Sequence, residues 1–220
     1  MILKVEISVM VNIRWFGHSM WKIWTDDVSI ITDPFADIGY PLPQNECADI
    51  VLISHDHFDH NNYKLIKGNP RIIREPGEHS IQGINFLLLP VWHDDCRGRK
   101  RGVNHLMKFR LADLNFLHCG DLGHLPEEDV LVQLGKVDVI FLPVGGFFTI
   151  DAKTACQIVQ KLSPRLIFPM HYSTPAIDFP IDPVDNFLKI AGKYSKIDEH
   201  TFTISEADLK QKKIVVLNYE

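Results

Sequence analysis

Short apolar and alternating runs, punctuated by Gly and Pro, dominate the first half of the chain. They predict strands at Val11 to Phe16, Met20 to Thr25, Val28 to Thr32 and Ile50 to Ser54. Further strands are expected at Arg71 to Arg74, Ile84 to Val91, Leu106 to Leu111 and Asn115 to His118. At Met1 to Met10, Lys4 and Glu6 interrupt the apolar positions, which predicts a first strand rather than a signal peptide. The second half changes character. Val137 to Leu142 is continuously apolar, as suits a strand covered on both faces. Asp151 to Leu162 then puts Ala152, Ala155, Cys156, Val159 and Leu162 on one helical face, and Pro164 ends it before strand-like Leu166 to Pro169. Strand, helix, strand in that order predicts a βαβ unit with a parallel pair. Two more helices are expected, Glu127 to Leu134 opened by Pro126 in its first turn, and Pro183 to Tyr194.

No repeat, low-complexity segment or linker rich in Gly, Ser or charge divides the 220 residues, so one α/β (α+β) domain over 1–220 is expected. A composition of 45% hydrophobic and 23% charged residues excludes disorder. The most apolar run, Val139 to Ile150, is broken by Pro143, Gly145 and Gly146, so no membrane span is expected. Four cysteines without paired spacing argue against a disulfide framework and for a reducing, cytoplasmic location. A net charge of -5 argues against a nucleic-acid backbone as the main partner.

The distinctive feature is the count of 11 histidines. Ser54-His55-Asp56-His57-Phe58-Asp59-His60 follows the apolar run Ile50 to Ile53, so its histidines sit where a strand ends. In extended backbone His55 and His57 project to one side. A following helical turn would bring Asp59 and His60 to the same volume. Imidazole and carboxylate donors suit zinc, manganese or iron, and the lack of cysteine argues against a closed structural zinc site.

His-x-His-x-Asp-His after an apolar strand resembles the signature of the metallo-β-lactamase superfamily. Asp33, in Ile30-Ile31-Thr32-Asp33-Pro34, resembles the aspartate that supports the site from behind. His93 after Leu89-Pro90-Val91-Trp92 resembles the third histidine ligand, and Asp121 in His118-Cys119-Gly120-Asp121 the aspartate shared by two metals. His171, between Met170 and Tyr172, resembles the last histidine ligand. Gly17-His18-Ser19 and Gly145-Gly146 are similar to the branch of small metal-dependent hydrolases that includes the ascorbate-phosphate lactonases.

The resemblance implies a four-layer αββα sandwich and two divalent ions, zinc first, with manganese or iron as alternatives. One ion would bind His55, His57 and His93, and the other Asp59, His60 and His171, with Asp121 between them. It implies a hydrolase in which a hydroxide bridging the metals cleaves an ester, lactone, amide or phosphodiester bond of a small substrate. Asp59 would orient the hydroxide. His18, Arg99, Arg101 and Tyr172 are candidate substrate contacts, the arginines because Arg97 to Arg101 carries four cations and suits an anion. His118 and His124 are read as core or outer support, and His79, His105 and His200 as surface or packed residues. Cys119 has no task at a metal site.

Two other activities and one binding role compete. A nuclease or phosphodiesterase acting on RNA would need a longer cationic track than one basic loop. Di-iron redox chemistry would, by the resemblance, put a glutamate where His57 stands. A non-catalytic metal-binding protein would be expected to have lost ligands, yet all seven positions are filled.

Overall fold

The computed structural model describes residues 10–219. The chain runs through strands β1 (Val11–Gly17), β2 (Met20–Trp24), β3 (Ser29–Thr32), β4 (Ile50–Leu52), β5 (Arg71–Ile73), β6 (Gly77–Ile81), β7 (Ile84–Trp92), β8 (Val103–Leu111) and β9 (Leu114–His118). Helix α1 (Glu128–Leu134), β10 (Val139–Pro143), α2 (Ala152–Leu162), β11 (Leu166–Met170), α3 (Val184–Ala191), β12 (Tyr194–Ile197), β13 (Thr201–Ile204) and β14 (Lys213–Leu217) follow. They form two sheets, a six-stranded one ordered β13-β1-β2-β3-β4-β5 and an eight-stranded one ordered β12-β14-β11-β10-β9-β8-β7-β6.

The sheets face each other across one apolar cluster, where Trp21 of the first lies 4.7 Å from Phe141 of the second, centroid to centroid. Leu131, Leu134, Ala155, Ile158, Phe187 and Leu188 bring all three helices into the same cluster. The outer face of the smaller sheet buries Phe16, Met20, Ile31, Val51 and Ile53 under a second cluster. Among the described residues, loops carrying Phe35, Tyr40, Ile177 and Ile181, with a single 3-10 turn at Tyr63–Leu65, cover that face. The architecture is the expected mixed α/β sandwich, with the layer over the smaller sheet reduced to loops.

All five positions of β10 and of β11 are buried, and the two strands pair in parallel from Val139↔Leu166 to Pro143↔Met170 around the α2 crossover. That is the predicted βαβ unit. Asp151 caps α2, its carboxylate accepting from Thr154 N at 2.8 Å.

Some boundaries differ from expectation. Helix α3 stops at Ala191 because Gly192 turns the chain at φ 92°, and Tyr194 opens a strand instead. Pro126 lies before the cap residue Glu127, outside the first turn of α1. Strands β6, β12, β13 and β14 lie outside the expected set. Of the strand expected at Met1 to Met10, only Met10 falls within the described residues, and it is not in a strand.

Strand polarity positions the site. Pairing makes β1, β3 and β4 run in one direction in their sheet, and β7, β9, β10 and β11 likewise in theirs. The residues that follow β1, β3, β4, β7, β9 and β11 are His18, Asp33, the His55 to His60 segment, His93, Asp121 and His171. The ends of these strands are where an α/β sheet exposes loops to a ligand.

Candidate metal centre

No helix follows β4: residues 54–56 bend and residues 58–60 form a turn, with His60 N and Asn61 N both donating to His57 O at 3.0 Å. The turn still gathers the segment's imidazoles. The rings of His55 and His57 lie 4.5 Å apart and those of His55 and His60 4.2 Å apart.

Asp33 fixes this segment. It is fully buried at φ 41°, and its carboxylate accepts from Ser54 N at 2.7 Å, Ser54 Oγ at 2.6 Å and His60 Nδ1 at 3.0 Å. Since the Ser54 hydroxyl donates to Asp33, it accepts from His55 Nδ1 at 2.9 Å. Both histidines therefore donate from Nδ1 and turn Nε2 inward. A sequence reading finds Asp33 but not Ser54, whose only signal is its place before His55.

Asp121 occupies the middle. Its Oδ2 lies 3.3 Å from His93 Nε2, 3.2 Å from His171 Nε2 and 4.0 Å from His55 Nε2, and its Oδ1 3.3 Å from His60 Nε2. Burial alone would raise its pKa, but the His171 and His60 imidazoles hold it well below the carboxylate range. Burial by itself lowers the pKa of His60, yet Asp121 and Asp33 push it well above the ordinary value. His55 has no comparable support, and burial with His60 beside it holds its pKa far down. Asn104, fully buried, accepts from Asp121 N at 2.9 Å and donates to Cys119 O at 2.9 Å. A Cβ on Gly120, at φ 51°, would stand 2.2 Å from Asn104 Oδ1, so this tight approach requires glycine. No sequence signal marks Asn104.

The donors fall into overlapping groups whose ligand atoms lie within 4.8 Å of one another: His55, His57 and His93; His55, His60 and Asp121; His18, Asp59, His60 and His171. His55 Nε2, His60 Nε2 and Asp121 Oδ1 are buried without a hydrogen-bond partner, which protein interiors rarely tolerate. Inward-facing imidazole nitrogens beside carboxylates are the donor set of a divalent metal, so the residues fit that group.

The arrangement has counterparts. Residues 12–171 match the family described as "Beta-lactamase superfamily domain". A candidate Zn-dependent hydrolase of the metallo-β-lactamase superfamily from Thermotoga maritima is 33% identical, with a TM-score of 0.82 over 96% of this chain and 100% of that one. This chain belongs to the metallo-β-lactamase superfamily, among its metal-dependent hydrolases. It is 30% identical to a UPF0173 metal-dependent hydrolase from Thermococcus onnurineus over 86% of this chain and 95% of that relative. It is 31% identical to another from Staphylothermus marinus over 75% of this chain and 85% of that one.

Around this metallo-β-lactamase centre the remaining residues separate. His118 is fully buried and uses both nitrogens, Nε2 donating to Ser19 O at 2.9 Å and Nδ1 accepting from Gly120 N at 3.1 Å. His105 is more than a packed residue, because its Nδ1 and backbone N both donate to Ser54 O, at 2.7 and 2.9 Å, and so hold the His55 segment. Burial pushes the Cys119 thiol up, so it stays protonated.

Of the candidate substrate contacts, Tyr172 packs in the core with its ring 5.2 Å from Trp15, and burial raises its hydroxyl pKa. A substrate-contact role for Tyr172 therefore has no geometric support. Arg99 is exposed and donates to Cys96 O of its own loop at 3.1 Å. Arg101 lies over Phe148, 5.2 Å from the ring centroid, and Phe148 is 6.5 Å from the His171 ring. Lys100, Arg101, Phe147, Phe148 and Thr149 line a cavity of about 440 Å³ whose wall also includes Asp94, next in sequence to His93, and Gly123, two residues beyond Asp121. Asp94 anchors the basic loop, accepting from the backbone N of Cys96, Gly98, Lys100 and Arg101 at 2.8–2.9 Å. Among the described residues no helix is long and apolar enough to cross a membrane.

Proposed function

We propose that the protein is a two-metal hydrolase that cleaves an ester, lactone, amide or phosphodiester bond in a small anionic molecule. The observation that carries this reading is Asp121, one buried carboxylate within 3.2–3.3 Å of imidazoles from both donor groups. His55, His57 and His93 would hold one ion, and Asp59, His60 and His171 the other, with Asp121 shared. Zinc suits this set of imidazoles and carboxylates, and the Thermotoga maritima relative is described as a candidate Zn-dependent hydrolase. Such a pair of ions supplies hydroxide at neutral pH and neutralises charge that develops on a carbonyl or phosphoryl oxygen.

The chain's own groups do the rest. Asp59 is 14% exposed in its side chain against 3% for Asp121, so Asp59 is the carboxylate that meets substrate and water. Asp59 would orient the hydroxide. Its carboxyl is held well below the ordinary range because His18 and His60 outweigh the effect of burial, so it is charged when substrate arrives. Arg101 would attract an anionic group, and exposed Phe147 an apolar part of the same molecule. The four cysteines are free thiols, which supports a cytoplasmic location.

The test is metal analysis of freshly purified protein, then an ester, lactone, amide and phosphodiester panel with that metal restored. His57→Ala and Asp121→Ala should each lower metal content and reduce turnover to background while the fold persists. Trace metal in the wild type, or full activity in both variants, rules the reading out.

A further inference from the structure

His18 is, with His118, one of two fully buried histidines that the expected ligand set leaves out. It stands among that set all the same. Its Nε2 lies 3.2 Å from Asp59 Oδ2, and its ring centroid is 4.2 Å from that of His171 and 5.1 Å from that of His60. We propose that His18 is itself a metal ligand, an added imidazole on the ion held by Asp59, His60 and His171. The inference rests on the two-metal reading and extends it.

The contrast with His118 carries the argument. Both rings are wholly buried, but His118 satisfies its two nitrogens with backbone partners. His18 makes no such bonds. Its Nδ1 has no partner, and its Nε2 meets only a carboxylate that is itself a donor to the same point. Nδ1 of His93 and of His171 are left bare in the same way. A histidine kept for packing or architecture would be bonded as His118 is.

The backbone is built to hold this ring in place. His18 sits at φ 48° and His171 at φ 50°, conformations that non-glycine residues seldom adopt. They are tied together, His171 N donating to His18 O at 3.2 Å, and Trp15 Nε1 donates to the same oxygen at 3.1 Å. Gly17, at φ 119°, lets the Tyr40 ring press on the turn where any Cβ would clash at 2.4 Å. Two strained residues locked to each other deliver two imidazoles to one volume, which is a costly arrangement for side chains without a joint task. The Asp59 side then offers His18, Asp59, His60, His171 and Asp121. The other side offers His55, His57, His93 and Asp121.

The experiment is a crystal structure of the wild-type protein loaded with zinc, together with chelator competition on wild type, His18→Gln and His18→Ala. A His18 nitrogen about 2.0–2.1 Å from an ion is expected. So is a loss of at least roughly tenfold in affinity for one of two metal equivalents in the variants, the other unchanged. Circular dichroism of the metal-free variants checks that the fold persists, and the wild-type distance decides the question even where a variant does not fold. Two bound ions with both His18 nitrogens beyond about 3 Å of either overturn this inference and leave the two-metal hydrolase standing. A wild-type protein that takes up no metal overturns both.

Discussion

Asp33 accepts a hydrogen bond from His60 Nδ1 at 3.0 Å, and through the Ser54 hydroxyl it orients His55 as well. One buried carboxylate thus orients two imidazoles that lie side by side next to Asp121. Asp33→Asn keeps the volume but removes the charge and one acceptor. Metal affinity is expected to fall about 10- to 100-fold, measured by competition with a coloured chelator. Ser54→Ala should fall less, since it leaves the His60 bond intact, and an Asp33→Asn protein with wild-type affinity contradicts the assignment.

His18 makes the metal-free protein sensitive to acid. Burial and the neighbouring His171 bring its pKa down from 6.5 to about 4. As pH falls below 6.5 the unfolded chain takes up this proton while the folded one refuses it, so stability drops until about pH 4. The loss is on the order of 3 kcal/mol. His60 works in the other direction, because its carboxylate partners favour the charged form. Comparing urea midpoints at pH 7 and pH 4.5 for chelated wild type and His18→Gln isolates the His18 contribution. The variant should lose less stability on acidification, and equal losses would refute the point.

Arg101 and Arg99 are neighbours in sequence but not in environment. Arg101 stacks on Phe148 at the cavity wall, whereas Arg99 bonds its own loop. Arg101→Ala should raise KM for an anionic substrate about tenfold, near 1.4 kcal/mol, with kcat little changed. Arg99→Ala should do much less. Steady-state kinetics on a charged and a neutral ester of matched size provide the check, and unchanged KM values remove Arg101 from substrate binding.

The basic loop depends on Asp94, which is buried beneath it and collects four backbone N–H bonds. Hydrogen bonds from the Cys96 side chain and from the backbone of Arg101, Lys100 and Cys96 outweigh burial and keep its carboxyl well below the usual range. Asp94→Ala should cost on the order of 1–2 kcal/mol. Faster amide hydrogen exchange confined to residues 95–102 would show that the cost falls on the loop, and unaltered exchange there would show the loop is held by other means.

Much of this was legible in the chain because metal sites concentrate chemistry into rare residue types at strand ends. His55, His57, Asp59 and His60 share one short segment, while Asp33, His93, Asp121 and His171 each follow an apolar run. The central βαβ unit was equally plain, since β10 and β11 are apolar at nearly every position. Edge strands such as β6 and β12 were not, because an edge needs few buried side chains and so carries little pattern. Asn104 and Ser54 act through hydrogen bonds to a few particular backbone or side-chain atoms, and periodicity does not encode such partners. Tyr172 shows the opposite failing. Adjacency to His171 suggested a role, yet neighbouring positions beyond a strand end need not face the same way, and this ring packs against Trp15.

The direction shared by the site-bearing strands has a mechanical consequence. His18 and the His55 to His60 segment hang from one sheet, while His93, Asp121 and His171 hang from the other. A bound ion would therefore act as a rivet through the rim of the sandwich, joining halves otherwise held by apolar contact and a few hydrogen bonds such as His171 N to His18 O and His118 Nε2 to Ser19 O. Stretching or prying the sheets apart would have to break coordinate bonds first, so the chemistry of the rim and the cohesion of the sandwich would rise and fall together.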